Sequence, residues 1–405
     1  MNILITDGNQ RAALAITRSL GRKGHRIFVG EDKKKSLAGV SKYAYKCVEY
    51  TSPAKDRNQF LTDIITIIRD NDIDVLFPVT DITTYEISNN KDTLPDPLKI
   101  GCVDFDLFEL VHNKIKLFEI AQECDLPVPT LHIVNNKEEL KEFIDKDKCY
   151  PYVLKPQSSR MIIDNQWQDT GVRYIYSFDD IESGEVHFPC MIQKKIEGSG
   201  IGFFALLKDG EPMSVFAHER IREKPPSGGV SVLRKSIPID ERLKTYSLHL
   251  LKKLNWTGVA MVEYKKSIKD GNYYLMELNG RFWGSLQLAV DSDVDFPYLY
   301  LKMLCNEEVE NQNSYKIGVV SRWFLGDCDH LIALLTKSKQ QIKMLGLKFS
   351  QRIKTFISFI LDLFNLNIKL EVLRLSDCKP FLYEVKSYFI SLCRKNRSSH
   401  RVKEL

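Results

Sequence analysis

The chain has 405 residues, 43% of them hydrophobic, and a net charge of +5. That length calls for two or three domains, and that apolar content excludes global disorder. So mild a charge makes no case for nucleic acid, and it is unevenly placed. Residues 331–405 hold 15 Lys and Arg against 5 Asp and Glu, about +10, so the rest of the chain is near −5. The nine cysteines are scattered without a Cys-x-x-Cys pair, a pattern of free thiols in a reducing cytoplasm and not of a zinc site or disulfide framework. With no apolar run of about 18 residues and a start that goes straight into a strand pattern, neither a membrane span nor a signal peptide is expected.

Residues 2–6 (NILIT) read as a short buried strand, followed by a turn at Asp7-Gly8-Asn9 and a helix over 11–20 closed by Gly21 and Gly24. A second strand over 25–30, a helix over 60–69 and a strand over 74–78 complete an alternation that predicts a parallel sheet with crossover helices. The first turn lacks Gly-x-Gly-x-x-Gly, because Gly8 stands alone, so a structural sheet domain is expected and not a dinucleotide site. Residues 113–124 form a helix stopped by the Pro127-Val128-Pro129 entry. From 130 to about 325, short strands and helices alternate around hairpin turns at Asp209-Gly210 and Asp270-Gly271, an α+β region with antiparallel sheet. From about 330 the chain turns helical and basic.

The chemistry concentrates in one place. The strand 258–264 (GVAMVEY) is buried in character and carries one acid, Glu263, which is costly there unless paired or bound to metal. Beyond the Asp270-Gly271 turn, the strand 273–281 (YYLMELNGR) carries Glu277 and Asn279 two apart, on one face. A hairpin between these strands brings Glu263 to Glu277 and creates a hard-oxygen magnesium site, with Arg281 two residues further on for a phosphate.

This Glu-x13-Glu-x-Asn-x-Arg order resembles the metal signature of the ATP-grasp superfamily. Over residues 1–325 the organisation is similar to its carboxylate-amine ligase branch. The resemblance implies a mixed α/β plus α+β chain: a Rossmann-like pre-ATP-grasp domain (1–110), an ATP-grasp domain (111–325) and a basic helical C-terminal extension (326–405). Within the ATP-grasp domain it implies an ATP-binding subdomain near 111–197 and a metal subdomain near 198–325.

Residue by residue, the resemblance implies that Lys114 and Lys155 contact phosphates. Lys155 lies in an apolar run (YVLKP) where a lysine needs an anion. Gln193, Lys195 and Ile196 (in MIQKKIEG) match the hinge that receives adenine, although Lys194 stands where relatives usually carry an acid. Ser158 belongs to the phosphate flap, which here has Ser158, Ser159 and Arg160 and then no glycine until Gly171. Arg220 and Arg222 alternate along a strand before a Ser227-Gly228-Gly229 loop. The resemblance places Arg220, with Arg281, in catalysis, and Arg222, Ser227, Gly228 and Gly229 at the substrate.

The implied chemistry uses ATP and one or two Mg2+ ions, with Mn2+ able to substitute. It activates a small-molecule carboxylate as an acyl phosphate and passes it to an amine or, in some relatives, a thiol. The glycine-poor flap and Lys194 favour a second reading, a nucleotide-binding sensor or scaffold without chemistry; the complete metal set opposes it. For the tail three roles stay open. It caps the core, forms a homodimer, or lies peripherally on the inner face of an anionic membrane through residues 355–368 and their flanking Arg352, Lys354 and Lys369. Residues 394–403 read as a frayed basic end.

Overall fold

The structure, a computed structural model, describes residues 1–401 apart from 148, 164–165, 183–185, 310–313, 339–340 and 343–348. The chain begins with a parallel sheet of β1 (Asn2–Ile5), β2 (Arg26–Glu31), β3 (Lys46–Glu49), β4 (Val75–Phe77) and β5 (Lys99–Ile100), ordered β3-β2-β1-β4-β5. Helix α1 (Arg11–Arg22) covers one face, and α2 (Arg57–Asp70) and α3 (Asp81–Asn89) pack on the other through Phe60, Ile64 and Ile87. Every residue of α1 from Ala12 to Leu20 is buried, Thr17 and Arg18 included. A helix buried all round lies between two layers; here they are the sheet and the later helices.

Asp7 closes β1 in the left-handed region (φ 56). Its carboxylate accepts hydrogen bonds from the Thr6 and Thr83 hydroxyls, both at 2.6 Å, and from the Thr80 amide at 3.1 Å. The turn therefore fixes where α3 begins. Gly8 serves packing: a Cβ there would stand 2.3 Å from Ser36 Oγ and 2.6 Å from Val29 Cγ1.

Helices α4 (Phe105–His112) and α5 (Lys114–Glu123) are joined by Asn113, whose side chain caps α5 by accepting from the Ile115 and Lys116 amides. They lead to β6 (Leu131–Val134), α6 (Lys137–Asp147), β7 (Tyr152–Pro156), the small hairpin β8 (Arg160–Ile163) and β9 (Gln166–Asp169), then β10 (Arg173–Ile175) and β11 (Cys190–Lys194). The antiparallel sheet β10-β7-β11-β6 closes its core on α6 through Leu140 and Ile144.

The largest sheet comprises β12 (Gly198–Lys208), β13 (Glu211–Lys224), β14 (Val230–Ser236), β15 (Gly258–Ser267), β16 (Tyr273–Asn279), β17 (Val320–Arg322) and β18 (Ile368–Leu370), ordered β16-β15-β12-β13-β14-β17-β18. One face packs on α4, α5 and α7 (Glu241–Lys253) around Phe118, Leu250 and Trp256. The other packs on α1, α8 (Leu286–Asp291) and α9 (Phe296–Leu304) around Phe204, Phe216 and Trp283. Helices α10 (Phe324–Thr336), α11 (Phe349–Phe364) and α12 (Lys379–Arg401) complete the chain.

The extension departs from the expected wholly helical tail. The 355–368 run is not one element: α11 stops at Phe364, and Ile368 opens β18, which pairs parallel with β17. The segment beyond it enters the core. Glu371 accepts from Arg11 at 2.5 Å and lies 2.6 Å from Arg234, while Asp377 accepts from Arg18 at 2.9 Å. The backbone remains helical to Arg401, so the end expected to fray from 394 is helical that far; Lys403 lies outside the described residues.

Candidate active site

The β15–β16 hairpin forms as its sequence requires. Gly271 takes a positive φ of 70 in the turn, and the register sets Glu263 opposite Glu277 and Met261 opposite Asn279. Burial and the neighbouring Glu277 push the Glu263 carboxyl up, against the pull of Arg220. Burial also opposes ionisation of Glu277, but Lys114, the Asn279 amide, Arg220 and Lys155 together hold its carboxyl down. Asn279 donates to Glu277 at 3.1 Å. Two half-buried carboxylates side by side, one resisting ionisation, with an amide oxygen beside them, fit a divalent cation that keeps water and shares phosphate oxygens. Among the described residues no group of three His, Cys, Asp or Glu side chains could hold a metal. The donor set is thus two acids and an amide, and it suits magnesium better than a zinc cage.

Two lysines face this pair. Lys114, in the first turn of α5, is buried and donates to Ser159 Oγ at 2.8 Å; its backbone N–H donates to the Gln157 carbonyl at 2.7 Å, tying α5 to the end of β7. Lys155 reaches from β7 across to β16, where its ammonium lies 3.7 Å from Met276 Sδ and 5.9 Å from the Phe118 ring centre. Burial, with repulsion from Lys114 second, pushes Lys155 down to about 8. A cavity of about 30 Å³, lined by Asp81, His112, Lys114, Ser159, Glu277 and Asn279, marks where these segments meet. It also corrects the flap reading. The Ser158 hydroxyl donates to the His112 carbonyl at 3.0 Å, so Ser159, and not Ser158, stands beside Lys114.

Arg281 is held by a residue that sequence reasoning does not single out. Its guanidinium grips Asp81, Nε to Oδ1 at 2.6 Å and Nη2 to Oδ2 at 2.9 Å. Asp81 opens α3, the helix whose start Asp7 fixes, so the first sheet sets the position of an arginine 200 residues away. We predict that Asp81→Asn, which keeps the shape but removes the charge, lowers kcat by about 10- to 100-fold while KM for ATP changes little. Steady-state ADP release, with a melting curve as the control for folding, checks this.

Arg220 crosses the sheet to Glu263, pairs with Glu223 at 3.2 Å and donates to the Gly229 carbonyl at 3.1 Å. It can lie there because β12 is bare: a Cβ at Gly200 would stand 2.8 Å from Arg220 Cδ, and one at Gly202 would stand 3.0 Å from His218 Nε2. The alternating glycines at 198, 200 and 202 are the mark in the sequence that could have revealed this track.

Arg222 does not share that face. The register shifts between Arg220 and Arg222, a bulge that turns Arg222 to the opposite side. There it pairs with Asp327 at 2.9 Å and Asp362 at 2.5 Å, so its assignment to the substrate is corrected to a buried link to α10 and α11.

The Ser227-Gly228-Gly229 loop lies beside Arg220, which donates to the Gly229 carbonyl. The Tyr174 hydroxyl from β10 donates to the Ser227 carbonyl at 2.8 Å, and Gly228 needs its positive φ of 127. At the hinge, Gln193 is buried with its amide nitrogen unpartnered, the Lys195 N–H donates to the Pro151 carbonyl at 3.4 Å, and Ile196 follows directly. Lys194, standing where an acid is usual, points outward to Asp147 at 3.7 Å.

The described residues of the flap form the antiparallel pair β8–β9, with Arg160 opposite Asp169 and Ile163 opposite Gln166. Its Trp167, also missed from sequence, donates to Glu86 at 3.1 Å and meets Tyr85 edge to face at 5.0 Å, so β8–β9 is latched onto α3.

Three comparisons bear on this geometry. A family model described as "ATP-grasp in the biosynthetic pathway with Ter operon" matches residues 205–324. The chain is similar to a D-aspartate ligase from Enterococcus faecium, 23% identical over 210 residues, which are 48% of this chain and 50% of that enzyme. It therefore spans about half the length of that relative. In fold it resembles a biotin carboxylase–βγ-ATP complex from Campylobacter jejuni (TM-score 0.62, 16% identity, 78% of this chain and 74% of that one). It also resembles an L-amino acid ligase from Bacillus licheniformis (TM-score 0.56, 18% identity, 75% and 74%).

Proposed function

We propose that this chain is a member of the ATP-grasp superfamily and an ATP-dependent ligase that activates a substrate carboxylate as an acyl phosphate and joins it to an amine. The observation that carries the reading is the register pair Glu263–Glu277 facing Lys114 and Lys155 across one cleft. Lys155 is buried, and among the described residues no carboxylate forms an ion pair with it, so it awaits an anion from outside the protein. A polyphosphate supplies that anion. The D-aspartate ligase and L-amino acid ligase among the similar proteins support an amino acid as one of the two substrates.

The residues divide the work. Magnesium on Glu263, Glu277 and Asn279 supplies neutralisation of phosphate oxygens when bound. Lys114 and Lys155 bind and orient the phosphates. Arg281, clamped by Asp81, presents a fixed guanidinium to the transferring group, where catalysis is mostly positioning and charge stabilisation. Arg220 and the Ser227–Gly229 loop hold the carboxylate beside it. The latched flap excludes water, which would otherwise hydrolyse the acyl phosphate. The hinge at Gln193 and Lys195–Ile196 receives the base. The test is ADP release screened over amino acids and small carboxylates, with mass spectrometry of the product. ATP consumption without a condensed product under any pair would sink ligation.

A pH dependence follows from Lys155. Burial disfavours its ammonium in the free protein, whereas bound phosphate favours it. ATP affinity should be flat below about pH 8 and weaken by up to about tenfold per unit above it. Calorimetric titration between about pH 6.5 and 9.5 reads this, and Lys155→Arg, which stays charged, should flatten the profile.

A further inference from the structure

We infer that the outer face of the C-terminal helices is a docking surface for an anionic lipid bilayer. The inference stands apart from the ATP chemistry. Helix α11 is turned inside out relative to a packed helix. Its polar arc, with Thr355 and Asp362, and the buried Phe359 face the protein; Asp362 holds Arg222 at 2.5 Å and the Phe359 ring lies tilted 6.5 Å from that of Phe324. Its apolar arc faces outward. Ile353, Phe356, Ile357, Ile360, Leu361 and Phe364 fall within half a turn of one another and are 55, 44, 51, 38, 64 and 78% exposed. Helices α10 and α12 neighbour it and carry further exposed apolar side chains. α10 packs against α11 and, through Asp329, accepts from the Tyr388 hydroxyl of α12 at 2.5 Å. Ile332 on α10 and Leu382 and Phe389 on α12 are 51, 64 and 60% exposed. Monomeric surfaces rarely leave one whole helix face of large apolar side chains, like that of α11, uncovered.

Charge decides the occupant. Every described acid after residue 336 is directed inward: Asp362 to Arg222, Glu371 to Arg11 and Arg234, Asp377 to Arg18, and Glu384 to the Trp323 indole at 2.7 Å. Lys354, Lys379 and Lys386 remain exposed. The segment therefore shows its surroundings an apolar stripe flanked by cations. A second copy would bring like charge against like charge. An anionic membrane offers both an acyl layer for the stripe and headgroups for the lysines, with the helix in the interface plane. Lying in that plane is also all the geometry allows, since among the described residues no helix is long and apolar enough to cross a membrane.

The test is co-sedimentation of the full-length protein with phosphatidylcholine vesicles containing about 30 mol % phosphatidylglycerol, against phosphatidylcholine alone. The wild type should pellet with the anionic vesicles and release at high salt. Leu361→Glu combined with Phe389→Glu should lower its partitioning by about tenfold or more. These side chains are exposed, so the melting curve of the double variant should match wild type. Three results would overturn the inference: no pelleting by the wild type, pelleting that ignores lipid charge, or a wild-type dimer in sedimentation velocity that the variant dissolves. The last would assign the face to a second copy.

Discussion

Glu277→Ala abolishes ADP release, by about a thousandfold or more, while the protein keeps its fold and melting temperature within a few degrees. The expected loss is large because Glu277 sits where three kinds of group converge: it faces Glu263 in the hairpin register, is bonded to Asn279, and is the acid toward which Lys114 and Lys155 are drawn. On the proposed assignment, a bound cation would lose one of two carboxylates and the phosphates their fixed reference. The fold survives because deletion also removes a carboxylate that raises Glu263. A second reading distinguishes a broken site from a broken protein. Magnesium and ATP at about a hundred times Kd should stabilise the wild type by about 2.7 kcal/mol and the variant hardly at all. ADP release at the normal rate from Glu277→Ala would overturn the metal assignment outright.

The parts of this site that the sequence makes legible are those built by neighbours along the chain. An acid inside a buried strand, a tight turn and a second strand with period-two polarity specify a hairpin and its register, so Glu263 and Glu277 meet as read. Lys155 is legible because a lysine in YVLKP is costly without an anion. Asp81 is not, because its meaning comes from Arg281, 200 positions later, and from a turn at Asp7 that looks like any strand end. Arg222 fails for a different reason. Period-two reasoning holds only while the ladder is regular, and a bulge cancels it without any mark in composition. Ser158 and Ser159 are likewise indistinguishable until β7 and α5 fix which one faces Lys114. The tail was legible as helical and basic, but β18 was not: three residues inside a basic helical stretch become a strand only because β17 offers an open edge.

Glu371→Ala should be the most destabilising single substitution outside the hydrophobic core. Glu371 is 2% exposed, and it neutralises Arg11 at 2.5 Å and Arg234 at 2.6 Å. Arg234 is fully buried on β14, so removing the carboxylate leaves a desolvated cation without a counter-charge. Breaking a buried pair in this way costs about 3–5 kcal/mol, a large share of the usual 5–15 kcal/mol of folding stability. A drop of about 4–6 °C in melting temperature is expected for a chain of this length. The cost lies in the orphaned charge, so Arg234→Met in the same chain should return most of it. If the double variant melts no higher than Glu371→Ala alone, the loss comes from packing. The sign with pH is set by the same contacts. Burial opposes ionisation of Glu371, but Arg11 and Arg234 outweigh it and hold its carboxyl below the ordinary 4.5. Its contribution is therefore complete above pH 4.5 and is lost as pH falls through the lower, folded value. Wild type should lose stability steeply on acidification below that point, and Glu371→Ala, having nothing left to protonate there, should fall more gently. Because Glu371 follows β18 and Arg11 begins α1, this one carboxylate fastens the end of the chain to its beginning across the sheet that carries Glu263 and Glu277.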